Sequence, residues 1–574
     1  MDSLIKEALL SFEHRGVTDE NIIRFKGGIE SQFINGLQSV SGKVSQLAAF
    51  QTYLGNPNMI GQQLEMYRAV TKQDVMNAYN KYIKGKNSVT VSVLVKGQDA
   101  APAMADNYQV DNSNYNRPNN GYDGLKYVKA TDNFDRKKQP GVGANPIVKV
   151  PAFTIKKTAN GIKMNFAQSN ELPLVNLLIR IPGGKLAETN MPLKSGLAGL
   201  TASMMNEDTK KYTAEQMSVE LQKLGSTINI FSSFDGTVFN VQSLKKNLNK
   251  TLELLEERML NPNFTQTSFT RIQKQAIEGF KQTKSQPSAI ADDVFDKLNF
   301  GNSILGMSSN GTEATIKCLT LKDVQDFYNN NLTSQNARVV VVGDVEENEI
   351  LPQLSFLNKL PIKNIKYANP VKTAFIDKTK IYSVDVPKAA QTEFRVGTPT
   401  NLLYDATGDF NSRLNLNLRE NKGWTYGARS SFSGNAYSGD YTFSAGIRAD
   451  ATDSALVEVI KEIKNYAATG ITEEELAFMK MAIGQRDALA YETGGQKAGF
   501  VGRILQYNLP ANFVTTQSDI LKNMKKAELD ALAKKWLDIN KMNILLVVDK
   551  VKILPGLQKM GYEIVELDVD GNKK

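Results

Sequence analysis

The chain of 574 residues has one histidine, His14, and one cysteine, Cys318. These scarcities exclude whole classes of chemistry. A single His cannot supply the paired histidines of most catalytic zinc sites. A single Cys excludes an internal disulfide framework and any Cys-rich metal site. His14 stands in Ser-Phe-Glu-His-Arg-Gly with no partner at ligand spacing, and reads as an ordinary loop or helix-end residue. Cys318, in Ile-Lys-Cys-Leu-Thr-Leu, reads as a small buried hydrophobe. No apolar run approaches the ~18 residues of a membrane span. The first residues form a short amphipathic pattern with an acid at its start, not a signal-peptide layout. A periplasmic and a cytoplasmic location both fit. The net charge of +9 is scattered lysine, without an arginine stripe interleaved with aromatics, and argues against a nucleic-acid partner. There is no Gly-x-Ser-x-Gly, and Pro182-Gly-Gly-Lys lacks the order of a phosphate loop.

Internal repetition is what the chain does have. Thr71-Lys-Gln-Asp-Val-Met-Asn-Ala-Tyr precedes Asn87-Ser-Val-Thr-Val-Ser-Val-Leu-Val. Thr320-Leu-Lys-Asp-Val-Gln-Asp-Phe-Tyr precedes Asn336-Ala-Arg-Val-Val-Val-Val-Gly, and Met524-Lys-Lys-Ala-Glu-Leu precedes Asn543-Ile-Leu-Leu-Val-Val-Asp. Each copy reads as a capped amphipathic helix, a turn and a buried strand, the closing part of a domain. Val17-Thr-Asp-Glu-Asn and Ile471-Thr-Glu-Glu-Glu both place acids in the first turn of a long helix, so Glu473 to Glu475 need no metal to explain them.

The predicted organisation follows. Residues 1–97 are the closing part of a first-half domain whose opening part is not in the chain. Residues 98–150, rich in Asn, Pro and Gly, form a linker, partly docked through aromatics such as Tyr108, Tyr115 and Tyr127. Strands are expected at 147–153, around the Asn160-Gly turn and from Leu172. Helices are expected at 194–206, 213–223, 244–260 and 267–283. A strand-rich start recurs at Ile381 to Gly397, with helices near 404–421, 453–468 and 473–506. Strands followed by helices, twice, predict two α+β domains, 151–365 and 366–556, with a tail at 557–574. Gly183, Gly184, Gly196 and Gly225 are read as turn and close-packing positions.

Residues Gly196 to Ser203 read Gly-Leu-Ala-Gly-Leu-Thr-Ala-Ser. This context resembles the pitrilysin family, the insulinase and mitochondrial-processing-peptidase group. There the Gly-Leu-Ala lead-in runs into His-x-x-Glu-His on a helix, whose histidines hold zinc and whose Glu activates the bound water. The matching places here are Gly199, Ala202 and Ser203. The family's remaining carboxylate ligand, about 76 residues beyond the last His of such a motif, maps to Gly279, with Glu278 beside it. The resemblance therefore implies a degenerate zinc motif and no zinc on this chain.

A second signature resembles the family's Arg and Tyr seven residues apart. In Leu418-Arg-Glu-Asn-Lys-Gly-Trp-Thr-Tyr-Gly these are Arg419 and Tyr426. A helix from Phe410 to Asn421 is expected to end at Gly423 as a left-handed cap. A strand from Trp424 would place Trp424, Tyr426 and Ala428 on one face. Arg419 and Tyr426 would then converge. A guanidinium grips peptide carbonyls, and a phenol donates to a developing oxyanion. A Gly-Trp-x-Tyr strand that merely packs a core is the plain alternative.

The resemblance implies tandem pitrilysin-type α+β domains forming half of a clamshell. It implies a non-catalytic half that meets a zinc-bearing half and closes on unfolded peptide. A scaffold with no part in catalysis is the other reading. The unpaired edges of residues 1–97 would dock on the second half or drive self-association.

Overall fold

A computed structural model describes residues 2–91, 152–371, 373–400, 402, 408–409, 413–489, 491–510 and 512–574, with isolated positions between 93 and 138. Two compact units divide the chain. One comprises residues 1–26 and 60–145, the other residues 27–59 and 146–574.

The smaller unit is helical among its described residues. It contains α1 (Asp2–Arg15), the start of α2 (Asp19–Gly36), α4 (Ile60–Ala69) and α5 (Lys72–Tyr82); α3 (Val40–Leu54) belongs to the larger unit. His14 lies in the last turn of α1. The Tyr79 hydroxyl donates to Glu13 at 2.8 Å, and its ring meets Phe12 edge-on at 4.9 Å. The strand expected from Val89 to Val95 is not formed among the described residues there. Val89, Val91 and Val93 are 92%, 77% and 90% exposed. A strand needs a ladder partner, and the described residues provide none. The linker lies largely outside the described residues. Tyr127, which is described, is 90% exposed and so is not docked as expected.

The larger unit is built on two sheets. The first has the order β1-β2-β6-β3-β5-β4, with β1 Thr154–Lys157, β2 Lys163–Gln168, β3 Leu174–Pro182, β4 Thr227–Ser232, β5 Gly236–Leu244 and β6 Arg338–Gly343. The second has the order β13-β7-β12-β8-β11-β10-β9, with β7 Lys380–Asp385, β8 Gln391–Thr400, β9 Gly408–Asp409, β10 Thr425–Gly434, β11 Gly439–Arg448, β12 Asn543–Val548 and β13 Ile564–Leu567. Among the described residues the opening strand runs over Thr154–Lys157, and residues 147–151 of the expected strand lie outside them.

The sequence repeat is a structural repeat. β6 lies between parallel β2 and antiparallel β3, and β12 between parallel β7 and antiparallel β8. Each follows an 11-residue helix, α12 (Leu321–Asn331) or α19 (Lys526–Trp536), and α5 has the same length. Thr320 and Asp323 cap α12 reciprocally, as Thr71 and Asp74 cap α5. A strand covered on both faces needs an unbroken apolar run, which Val339 to Val342 and Ile544 to Val548 supply.

The remaining helices are α6 (Leu197–Met204), α7 (Ala214–Leu224), α8 (Leu248–Leu260), α9 (Gln266–Thr283), α10 (Pro287–Phe300), α11 (Glu313–Cys318), α13 (Glu347–Gln353), α14 (Arg413–Asn415), α15 (Thr452–Thr469), α16 (Glu473–Leu489), α17 (Gly494–Tyr507), α18 (Phe513–Asn523) and α20 (Lys550–Gln558). On one face of the first sheet, Met217, Leu252, Leu255 and Met259 of α7 and α8 pack against Ile179, Val339 and Val341. On one face of the second, Leu456, Val459 and Ile463 of α15 pack against Phe394, Phe443 and Ile544. The opposite faces are covered by exchange. α10, which follows the first sheet's helices, places Ile290, Val294 and Phe295 on Val384, Leu545 and Val547 of the second sheet. α17 places Ala498, Val501 and Ile504 on Ala167, Val340 and Val342 of the first. Each such buried aliphatic or aromatic side chain contributes about 1.5–3 kcal/mol, so this exchange locks the two sheets into one unit.

Other departures from the sequence expectations have local causes. The helix expected over 473–506 breaks between Leu489 and Gly494, where Thr493 and Gln496 form a new capping box. The 557–574 tail is part of the fold, because β13 extends the second sheet beside β7. Cys318 is exposed at the end of α11 rather than buried. Residues 27–59 pack in the larger unit. Ile34 joins Leu174 and Leu244, and Lys246 pairs with Glu30 at 2.7 Å. Gly225 takes φ +58°, and a Cβ there would stand 2.4 Å from the Gly27 carbonyl, so this packing needs glycine.

Candidate functional site

The zinc-motif positions lie on and opposite α6. Ala202 is 1% exposed, inside the first core. The Ser203 hydroxyl donates back to the Gly199 carbonyl at 3.0 Å. Gly279 lies in α9 and faces open space. Glu278 is exposed and pairs with Lys281 one turn away at 3.0 Å. Gly199, Ala202 and Gly279 carry no ligating atom, and one hydroxyl with one carboxylate already paired to a lysine is not a zinc site. The residues present therefore do not fit the metal. No group of three or more His, Cys, Asp and Glu arranged to hold a metal exists among the described residues.

α6 is nonetheless built with care. Gly196, at φ +91°, begins it without a side-chain cap. Glu188 supplies the cap from outside, accepting from Gly196 N at 3.0 Å and Ala198 N at 2.6 Å. Its carboxyl is 1% exposed, and burial pushes its pKa up to about 7 against the pull of those two amides and of Lys185. Lys185, 5% exposed, donates to the Met307 carbonyl, and burial lowers its pKa.

At the far end of α6, Asn206 reaches the sheet. Its Nδ2 donates to Ile230 O at 2.8 Å and to Ala202 O at 3.0 Å, and its Oδ1 accepts from Ile230 N at 3.2 Å. Arg258 of α8 lies alongside, donating to Ile228 O at 2.7 Å and to Asn206 O at 3.3 Å.

The Arg and Tyr signature sits on the second sheet. Residues 404–407 and 410–412 of the expected helix lie outside the described residues, and Gly408–Asp409 form β9. From Arg413 the chain makes α14 and then winds as a wider π-helix over Leu416–Asn421. Anchors on both sides hold it. Arg413 grips Glu475 through Nε at 2.6 Å and Nη2 at 2.7 Å, and its guanidinium lies 5.0 Å from the Tyr466 ring. That grip holds the Glu475 carboxyl down at about 2. Asn417 donates to Glu458 and Glu462, both at 2.9 Å, and Leu418 is fully buried. A π-turn of this kind often marks a functional position. Gly423, at φ +62°, closes it as expected, with its N–H donating to Arg419 O at 3.0 Å.

The following strand corrects one expectation. Its register against β11 shifts between Thr425 and Ala428. Thr425 is 9% exposed, and its hydroxyl donates to Gly446 O at 2.8 Å while lying 3.1 Å from the Gly427 N–H it accepts. The bulge so held breaks the two-residue alternation. Trp424 packs on the second core and Ala428 is 1% exposed, whereas Tyr426 is turned outward and is 91% exposed. The three do not share a face. Arg419 is also exposed, at 52%, beside Glu420. Both side chains thus stand free of the core on either side of one tight turn, and no hydrogen bond joins them among the described residues. Thr425, Arg413 and Asn417 were not singled out from the sequence. Gly427, a glycine inside a strand pattern, was the available signal for the bulge.

The geometry can be set beside known proteins. The family model described as Insulinase (Peptidase family M16) matches residues 166–308, and that described as Peptidase M16 inactive domain matches residues 319–483. The non-peptidase homolog YmxG of Helicobacter pylori is 24% identical, over 67% of this chain and 92% of its own. An uncharacterized zinc protease of Rickettsia bellii is 22% identical, over 66% of this chain and 93% of its own. A solved peptidase M16 inactive domain from Pseudomonas fluorescens shares the fold with a TM-score of 0.62 at 22% identity, covering 69% of this chain and 98% of that one.

Proposed function

We propose that this chain, which belongs to peptidase family M16 and is a non-catalytic member of it, serves as the partner half of a zinc-bearing M16 half and closes a chamber around unfolded peptide. The observation that carries the reading is the bulge at Thr425. It spends buried hydrogen bonds to turn a tyrosine out of the core beside an exposed arginine. A strand that only packed a core would gain by burying that ring, at about 1.5–3 kcal/mol.

In this reading the hydrolytic chemistry belongs to the half that carries His-x-x-Glu-His. This chain binds and orients. Arg419 presents a planar fork to peptide carbonyls, and the Tyr426 hydroxyl donates to the scissile carbonyl oxygen as it gains negative charge.

The test combines this chain with a His-x-x-Glu-His-bearing M16 chain and follows cleavage of an internally quenched peptide. Tyr426→Phe should lower turnover by roughly 10²–10³, the scale of one lost oxyanion donor. Binding of an unreactive peptide should change much less, since the bond strengthens only in the transition state. Arg419→Lys should weaken both. A structural or peptide-binding scaffold is the second reading, favoured by the relative described as a non-peptidase homolog. Unchanged turnover in Tyr426→Phe would decide for it.

A further inference from the structure

We infer that Asn206 and Arg258 seal the outer edge of β4, closing this domain to backbone pairing with a peptide or with a second copy of the chain. Among the described residues β4 is the last strand of its sheet, hydrogen-bonded only to β5. In an antiparallel pair alternate residues turn their N–H and C=O away from the partner. The Ser233 N–H donates to Gly236 O at 2.8 Å, which fixes the alternation. Ile228, Ile230 and Ser232 are therefore the residues whose main-chain groups point outward. Such an edge is a template for strand addition.

Two of those three positions are occupied. The Asn206 side-chain amide donates to Ile230 O at 2.8 Å and accepts from Ile230 N at 3.2 Å. It offers the pair of groups that a residue of an incoming strand would offer. Arg258 takes Ile228 O at 2.7 Å. The arrangement is fixed at the back. Asn206 Nδ2 also donates to the Ala202 carbonyl of α6 at 3.0 Å, and Arg258 Nη2 donates to Asn206 O at 3.3 Å. Arg258 is 7% exposed. A buried guanidinium that loses an acceptor has no water to turn to, so the seal resists opening. Among the described residues Ser232 and the Ile228 N–H keep outward groups with no side chain shown against them. With both groups of Ile230 and the Ile228 carbonyl taken, an incoming strand has no two consecutive outward residues open to it.

The consequence is specific. The seal hangs from the helix that carries the empty zinc positions, so the same short stretch that lacks metal ligands also blocks the neighbouring edge. Peptide held by this chain is held elsewhere, and the inference stands whether or not Arg419 and Tyr426 assist chemistry.

The test uses the full chain and a fluorescein-labelled peptide of about six alternating valine and threonine residues flanked by lysines. Anisotropy reads binding and amide exchange reads the site. In the wild-type chain the peptide should leave exchange at Ile228 and Ile230 unchanged. Asn206→Ala frees both main-chain groups of Ile230, and binding should tighten about tenfold, the worth of one or two net hydrogen bonds. Peptide-dependent protection should then appear at Ile228 and Ile230. Arg258→Met should add to the effect. Protection of Ile228 and Ile230 by peptide in the wild-type chain would overturn the inference. So would a folded Asn206→Ala chain with the wild-type melting profile and no gain. If Asn206→Ala fails to fold, the wild-type exchange experiment alone decides, unchanged exchange supporting the seal and new protection refuting it.

Discussion

Glu188→Gln tests how α6 is held. The substitution replaces a carboxylate by a neutral amide of nearly the same shape. Glu188 is 1% exposed, and burial raises its pKa from 4.5 to about 7. A folded pKa above the unfolded one means that folding favours the protonated acid. The stability this group carries is therefore complete below about pH 4.5 and is lost as pH rises through about 7. The shift is worth about 3 kcal/mol over that window. Glutamine does not titrate, so the difference between variant and wild type isolates this one group from others, such as Asp296, that burial also raises to about 7. At pH 4.5 the variant should be less stable by about 1–3 kcal/mol, because its amide can accept from only one of the two N–H groups that Glu188 serves. By pH 7.5 the gap should close or reverse. At about 2–4 °C per kcal/mol for a domain of this class, the difference in Tm should move by about 6–12 °C between pH 4.5 and 7.5. Differential scanning calorimetry of both proteins across that range reads it directly. A difference that stays constant with pH would refute the reasoning, by showing that Glu188 does not titrate in the window.

Arg413→Ala should destabilise the chain by about 2–3 kcal/mol at neutral pH by leaving Glu475 without its charged partner. The folded pKa of Glu475 is depressed to about 2, chiefly by the Arg413 bond. Its stabilisation is present above about pH 4.5 and is lost as pH falls toward 2, so the acid limb of a melting series should flatten in the variant. Val89→Asp should change the unfolding free energy by no more than the ~0.5 kcal/mol typical of a surface site, read by denaturant melts, because Val89 is 92% exposed. Elemental analysis of the dialysed chain should find far less than one zinc per molecule.

Much of this fold is legible in the sequence, and the illegible parts share a cause. Copies of one helix-and-strand pattern announce themselves because an 11-residue amphipathic helix and a run such as Val339 to Val342 are local patterns. What Ile290, Val294 and Phe295 will pack on is not local. Their spacing announces an apolar face, and only the tertiary structure sends it to the second sheet. The candidate site divides in the same way. Arg419, Tyr426 and the Gly423 cap are read from residue types. The outward turn of Tyr426 depends on a one-residue shift of register, and one residue reverses a strand's faces. Asn206 and Arg258 give no sequence signal, because their acceptors on β4 lie in a separate element. Among the described residues Val89, Val91 and Val93 mislead in the opposite sense. Their pattern is that of a strand, but a strand exists only where a neighbour completes its ladder.

The central claim is that this chain contributes to peptide hydrolysis only in combination. Its most direct test is a titration of the purified chain into a fixed amount of a His-x-x-Glu-His-bearing M16 half, with cleavage of an internally quenched peptide as the readout. The account predicts no cleavage by this chain alone and a rate that rises to a plateau at one chain per zinc half. Cleavage by this chain alone, or a rate indifferent to its addition, would contradict it.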